Sequence, residues 1–149
     1  EGIFIGKFAA SDGEQLWLKT VYLDASSDGY GVAVDGNGDV VIAGSDYPHG
    51  LLMKLDPNGN IIWLTYVANS FGLSNVMIHR ESGTIIACGR AEGDRRSLHG
   101  GLPLMTAHSS TGDLLWAQTF GEKVDKEVWT YPICQCRTKT PVTSPQAFN

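Results

Sequence analysis

Carboxylate and amide side chains alternate in one short glycine-rich stretch, in a pattern that could bind a cation. Asp35, Asn37 and Asp39 occupy positions 1, 3 and 5 of the pattern, and Asp46 falls at position 12. Oxygen ligands at this spacing can surround a hard cation such as calcium. Position 6, where such a loop needs glycine, is Val40, and an apolar run follows directly. The stretch therefore favours a hairpin turn, with a calcium loop as the alternative.

Residues that commonly perform catalysis do not form a recognisable set in this sequence. No Ser-His-Asp, Cys-His or paired-carboxylate arrangement stands out from the spacing. His49 and His99 each precede a predicted strand at equivalent positions, so both are expected on one rim of the fold. Two imidazoles without a third ligand are a weak basis for a metal site, and we interpret both as turn or rim residues. The sequence therefore predicts a protein that is not an enzyme.

One loop carries the candidate binding residues. The segment RAEGDRRSLHGG, residues 90–101, occupies the place of the shorter SDYPHG in the preceding unit. Loops on a rigid scaffold often carry binding residues. The charged and histidine side chains of this segment are Arg90, Glu92, Asp94, Arg95, Arg96 and His99. We predict that they bind a protein surface or a polar glycan, and a solvated surface loop is the alternative.

Composition narrows the class of protein. The chain has 149 residues, of which 42% are apolar, so it can bury a core. Its 18 glycines and short apolar runs favour strands joined by tight turns, which makes an all-β fold the expectation. Eleven Lys and Arg residues in a chain of net charge −5 offer no basic surface for nucleic acid. No apolar run approaches the roughly 20 residues that a membrane helix needs, so no membrane span is predicted.

The three cysteines divide into one isolated residue and one close pair. Cys88 lies in an apolar run and is interpreted as a small buried side chain. Cys134 and Cys136 are too close in sequence to bond readily to each other, so they are expected to pair beyond this chain, in an oxidising compartment. Zinc is a weaker interpretation, because no second pair of ligands accompanies them. Residues 134–149 are otherwise rich in Thr, Ser and Pro, which is typical of a linker or tail.

Three segments of the chain repeat one pattern, in which a glycine precedes a tryptophan by four residues. The repeated residues are Gly13 with Trp17, Gly59 with Trp63, and Gly112 with Trp116. Successive tryptophans are 46 (63 − 17) and 53 (116 − 63) residues apart. A second pair of segments, VAVDGNGDVVIAG and VMIHRESGTIIACG, also aligns. The chain therefore contains a structural repeat of about 46 residues.

Each repeat is predicted to contain four antiparallel strands. In the clearest copy they span Tyr30–Asp35, Asp39–Ser45, Leu51–Asp56 and Asn60–Val67. The last of these strands is apolar on both faces, so it is expected to be buried on both sides. Four short strands in a unit that stacks between two neighbours are typical of a blade of a β-propeller.

The residues GVAVDGNGDVVIAGS and LLMKLDPNGNIIWLTYV resemble the seven-bladed beta-propeller repeat family, found in many secreted and cell-surface proteins. The resemblance covers residues 2–120 and implies propeller blades that serve as interaction or surface modules. The pieces TGDLLW and NGNIIW also resemble the Trp-docking repeats of pyrroloquinoline quinone dehydrogenases. That second resemblance implies a quinoprotein-type oxidoreductase fragment as the enzyme alternative.

The repeat also predicts the domain organisation. Residues 1–133 are expected to form the propeller segment, and residues 134–149 the tail. Within the segment, the blade parts are residues 2–21, 30–67 and 73–120, with the start of a further blade at 127–133. About three blades make an incomplete ring, because a closed one takes four to eight.

An incomplete ring leaves blade faces open, so we expect other protein chains or copies of this chain to cover them. The overall expectation is a non-enzymatic interaction or structural module of an extracellular or cell-surface assembly, with no cofactor. The alternatives are the quinoprotein fragment and a calcium-stabilised adhesion or glycan-binding module.

Overall fold

A computed structural model describes residues 2–91 and 101–120 of the chain. The described residues contain ten strands and no helix, so the predicted all-β class is confirmed. The strands are β1 (Gly2–Phe8), β2 (Gln15–Tyr22), β3 (Ser27–Val34), β4 (Val40–Asp46), β5 (His49–Leu55), β6 (Ile61–Val67), β7 (Ser70–Ile78), β8 (Ile85–Ala91), β9 (Pro103–His108) and β10 (Leu114–Thr119). Within these two ranges, no helix has the length and apolar character needed to cross a membrane.

The strands form three antiparallel sheets, each of which follows the order of the sequence. The first sheet pairs β1 with β2, the central sheet has the order β3-β4-β5-β6, and the last sheet has the order β7-β8-β9-β10. Tight turns join β1 to β2, β3 to β4, β5 to β6, β7 to β8 and β9 to β10, as expected from the glycine-rich segments. The four strands predicted for the clearest repeat correspond to the central sheet.

The central sheet packs on both of its faces, because its strands are apolar at successive positions. Val40 and Ile42 of β4 belong to a core shared with Ile3 and Ile5 of the first sheet. Their neighbours in sequence point to the opposite face. There Val41 and Ala43 join a second core with residues of the last sheet, namely Leu73, Val76, Ile85, Ala87 and Leu104. The sheets thus form three layers with an apolar core in each interface.

Five hairpin turns in the described residues each contain a glycine in the left-handed conformation. In each, a glycine has a positive φ, and these are Gly13 (77°), Gly38 (84°), Gly59 (80°), Gly83 (67°) and Gly112 (93°). The glycine N–H donates to the carbonyl of the first turn residue, as from Gly38 to Asp35 at 3.1 Å. Glycine adopts this left-handed conformation without the steric cost that a Cβ imposes. The DGNG stretch is therefore a hairpin turn, as the sequence favoured.

Cys88 lies in β8 and is almost completely buried, as predicted. It is also disulfide-bonded, which the sequence analysis did not predict. Cys134 and Cys136, and with them the predicted tail, lie outside the described residues.

Truncation of Leu52 tests the core between the central and last sheets. Its side chain is fully buried, with 0% exposed. Leu52→Ala is expected to lower the free energy of unfolding by about 2–5 kcal/mol, because it leaves a cavity that packing cannot fill. Chemical denaturation measures the change, and Ile62→Ala, at a side chain 51% exposed, is the control. Equal losses in the two variants would contradict the packing of this interface.

Candidate interaction site

Trp17 of the first sheet docks on the β5–β6 turn of the central sheet. Its Nε1 donates a hydrogen bond to the carbonyl of Pro57 at 2.9 Å. Lys7 Nζ donates to the same carbonyl at 3.1 Å, and Lys19 Nζ donates to Asn60 Oδ1 at 3.0 Å. The indole therefore buries apolar area while its single donor is satisfied, as tryptophan at a packed interface requires.

Trp63 of the central sheet repeats this contact on the last sheet. Its Nε1 donates to the carbonyl of Ser110 in the β9–β10 turn at 3.1 Å. The glycine of each turn lies directly beneath the indole. A Cβ on Gly112 would be 3.0 Å from Trp63 Cδ2, and one on Gly59 would be 3.2 Å from Trp17 Cε3. Glycine is thus favoured at these positions for two reasons. It adopts the positive φ of the turn, and its lack of a Cβ leaves room for the indole.

A register shift places each tryptophan in the same way. The pairing shifts between Lys7 and Phe8, between Lys54 and Leu55, and between Leu114 and Trp116. Such a bulge inserts one residue in a strand and re-aims the side chains that follow it. All three sheets carry it immediately before the tryptophan, so the three indoles occupy equivalent positions.

The glycine and tryptophan that lie four residues apart in the sequence are not the ones that contact each other in the structure. Trp17 meets Gly59 and Trp63 meets Gly112, so each tryptophan contacts the glycine of the next repeat. The four-residue Gly–Trp spacing identified the residues but not these partners. The contact links successive sheets in one direction along the chain.

The two ends of the described stack each carry one of the two groups that form this contact, a turn glycine or a tryptophan. Gly13 has the turn conformation, but nothing lies within 4 Å of the position of its Cβ. Trp116 is 44% exposed. Among the described residues, no indole therefore lies against the Gly13 turn, and no glycine turn of a further sheet lies against Trp116.

The candidate calcium residues are joined by a lysine that the sequence analysis did not identify. Lys54 Nζ lies 2.9 Å from Asp35 Oδ2 and 2.9 Å from Asp39 Oδ2. Asp35 Oδ1 accepts backbone hydrogen bonds from Asn37 at 2.8 Å and Asp39 at 3.0 Å. The described residues include no group of three or more His, Cys, Asp or Glu side chains that could hold a metal. The two carboxylates thus have a structural role in tying the β3–β4 turn to β5.

These contacts shift the pKa values of Asp35 and Lys54. Burial acts to raise the pKa of Asp35, but hydrogen bonds from Lys54 and from the backbone of Asn37 and Asp39 outweigh it and lower the pKa. For Lys54, burial acts to lower the pKa, and the two carboxylates together raise it. The charged forms of both partners are therefore favoured in the folded protein.

Asp46, at position 12 of the calcium pattern, lies at the other end of β4 from the turn. Its carboxylate accepts hydrogen bonds from Ser27 Oγ at 2.7 Å and Tyr66 Oη at 2.8 Å. The hydrogen bond from Ser27 is the main cause of its lowered pKa; burial opposes the shift and Tyr66 assists it. The strand thus separates Asp46 from the other three candidate ligands, so these four residues do not form one loop.

Arg90 is the one candidate binding residue of the long loop within the described residues. Its guanidinium carbon lies 5.7 Å from the centre of the Phe71 ring, within the range of a cation–π contact. His49 lies beside Tyr66, with their ring centres 6.3 Å apart. The remaining loop candidates, Glu92, Asp94, Arg95, Arg96 and His99, lie outside the described residues.

Comparison with known proteins gives a structural likeness alone. No family model matches the chain. No curated protein matches it either. Among solved structures, the chain is similar to a protein of unknown function from Bacteroides caccae, with a TM-score of 0.47 and 11% sequence identity. The match covers 77% of this chain and 39% of that one, so this chain spans well under half the length of that protein.

The docking of Trp63 can be tested through the glycine beneath it. Gly112→Ala and Gly13→Ala both place alanine at a positive φ, which costs about 1–2 kcal/mol. Only the Cβ at Gly112 also meets an indole. We expect Gly112→Ala to lower the free energy of unfolding by about 1 kcal/mol more than Gly13→Ala, as measured by urea denaturation. Equal effects would mean that the indole does not pack on the turn.

Acidification tests the Lys54 ion pairs. Since the pKa of Asp35 is lowered on folding, its contribution to stability is present above the ordinary value of 3.8 and is lost as pH falls through the lower folded value. Lys54→Met is expected to cost about 2 kcal/mol near neutral pH. This difference from the wild-type protein should shrink below pH ~4, as the carboxylates protonate. A difference that stays constant down to pH ~2 would exclude the ionic contribution.

Proposed function

We propose that this chain is a segment of a β-propeller that acts as a non-enzymatic interaction and structural module. The proposal interprets each four-stranded sheet as one blade and the first sheet as part of another. Its support is the stacking of successive sheets face to face, with each strand order following the sequence. In a propeller, every blade packs between two neighbours in this way.

The repeated tryptophan–turn contact is the observation that carries the proposal. It joins the first sheet to the central one and the central sheet to the last by equivalent atoms. A unit that docks on a copy of itself can be extended by further units, since each sheet offers a tryptophan to one neighbour and a turn to the other. The function proposed is accordingly to bind neighbouring sheets or chains.

An exposed apolar surface on the first sheet supports the same proposal. Large apolar side chains cover the face that points away from the central sheet, and they are Phe4, Phe8, Leu16, Leu18 and Tyr22. Contiguous exposed apolar surface of this kind commonly marks an interaction site. We infer that another protein surface covers this face in the assembly.

The proposed location is extracellular or on a cell surface. The disulfide at Cys88 supports it, because disulfides persist in oxidising compartments. The quinoprotein resemblance rests on the segments that end at Trp63 and Trp116, and Trp63 is engaged in docking between sheets. Sheet packing thus accounts for Trp63 without a cofactor.

Cross-linking of the full chain in its native surroundings tests the proposed function. We expect cross-links from the first sheet to other protein chains or copies. Phe4→Asp, at a side chain 66% exposed, should abolish them, because a buried carboxylate would be unpaired in the interface. Ile62→Asp, at a side chain of the central sheet that is 51% exposed, is the control and should retain them.

The same preparation separates the alternatives. Absorbance from a bound quinone would support the oxidoreductase fragment, and a melting temperature that falls on chelation would support the calcium-stabilised module. A chain that yields no cross-links and carries a cofactor would overturn the interaction proposal.

A further inference from the structure

We propose that residues 121–136 of this chain dock on the outer face of the last sheet, where a disulfide from Cys88 to Cys134 or Cys136 holds them. The outer face is the one that points away from the central sheet. This inference goes beyond the proposed function and does not depend on it, because it concerns a contact within the chain.

Cys88 lies on the outer face of the last sheet. Its neighbour in β8, Ala87, belongs to the core shared with the central sheet. Because side chains alternate across a sheet, Cys88 points to the opposite side. The strand pairings place five further residues on that side, and these are Met77, Ile86, Met105, Ala107 and Trp116. The outer face is therefore apolar, with one sulfur on an inner strand.

Two small side chains of the outer face are buried. Cys88 is 1% exposed and Ala107 is 0% exposed. The central sheet packs on the other side of the last sheet, and the first sheet packs on the far face of the central one. Neither of these sheets can therefore bury the two side chains. A further layer on the outer face accounts for their burial.

The disulfide identifies the segment that forms this layer. Cys88 is disulfide-bonded, and the chain contains three cysteines. Its partner within the chain is thus Cys134 or Cys136. A disulfide brings the two Cα atoms to about 4.4–6.8 Å from each other. Formation of this bond therefore requires the chain around residues 134–136 to lie against β8.

The chain leaves the last sheet at a place from which either cysteine can reach Cys88. Thr119, the last residue of β10, pairs with Leu104, which pairs with Gly89. The exit is thus two strands away from β8, or about 10 Å. Cys134 follows Thr119 by 15 residues (134 − 119), which span up to about 50 Å when extended. The segment is therefore long enough to cross the outer face and return.

The composition of the segment matches the face that it would cover. The residues directly before the cysteine pair, EVWTYPI, include Val128, Trp129, Tyr131 and Ile133. Apolar side chains on both partners favour contact, because the contact removes both sets from water. The disulfide then adds to this contact by keeping the segment at a high local concentration.

The pairing also determines what the third cysteine can do. Formation of the bond oxidises two thiols, which give up two protons and two electrons to a disulfide oxidant that is itself reduced to two thiols. One thiol per chain (3 − 2) then remains at Cys134 or Cys136. That thiol is the one available for a disulfide to another chain, as an odd cysteine in a secreted protein suggests.

Peptide mapping of the full chain, purified without reductant, tests the pairing. Exposed thiols are blocked first, and the chain is then unfolded and digested with trypsin. We expect a linked species made of ESGTIIACGR, residues 81–90, and EVWTYPICQCR, residues 127–137. It should be two hydrogens lighter than the sum of its peptides, should carry one blocked thiol or one bond to another chain, and should separate on reduction.

Limited digestion of the folded chain with chymotrypsin tests the docking. Cleavage after Trp129 should be about tenfold or more faster in Cys88→Ala than in the wild-type chain, because the tether is lost. Cleavage after Phe148, beyond the cysteine pair, is the internal control and should not change. A double variant, Cys134→Ser with Cys136→Ser, removes both candidate partners without altering β8 and should give the same acceleration.

Either of two results would overturn the inference. One is recovery of the Cys88 peptide with a blocked thiol, or linked to the same peptide of a second chain. The other is cleavage after Trp129 at equal rates in the wild-type chain and the double variant. Both measurements leave the first sheet untouched, so the inference can fail while cross-links through Phe4 still support the proposed function.

Discussion

A sheet with two apolar faces is stable in water only when another layer covers each of them, and the central sheet is built in this way. Val41 and Val40, adjacent in β4, point into different cores. Neither core would exist without a neighbouring sheet, because each draws its residues from two layers. The need to cover both faces therefore explains the stacked arrangement, and also the exposed apolar side chains on the first sheet.

Apolar burial alone would let the sheets slide over one another, and the polar contacts restrict them to one arrangement. Trp17 and Trp63 each place one N–H on one carbonyl of the next sheet, which specifies position as well as area. Within the central sheet, Lys54 joins the β3–β4 turn to β5. Every buried side-chain nitrogen or oxygen in the described residues has a hydrogen-bond partner. Specificity thus comes from a few directional contacts on an apolar background.

The division between apolar burial and directional polar contacts also explains why the candidate site is a surface of contact between sheets. The carboxylates that resembled a cation loop are engaged by Lys54, and Asp46 is bound by Ser27 and Tyr66. The residues that repeat most regularly, glycine and tryptophan, connect one sheet to the next. The proposed interaction function rests on these contacts between sheets.

The sequence by itself determined the strands and the hairpin turns, because these depend on neighbouring residues: apolar runs of strand length, and glycine wherever φ must be positive. The tertiary structure decided which residues meet. The pairing of Trp17 with Gly59 and the approach of Lys54 to Asp35 depend on strand register and on the stacking of sheets. Local propensity carries no information about either, since a shift of one residue in register would turn each of these side chains to the opposite face.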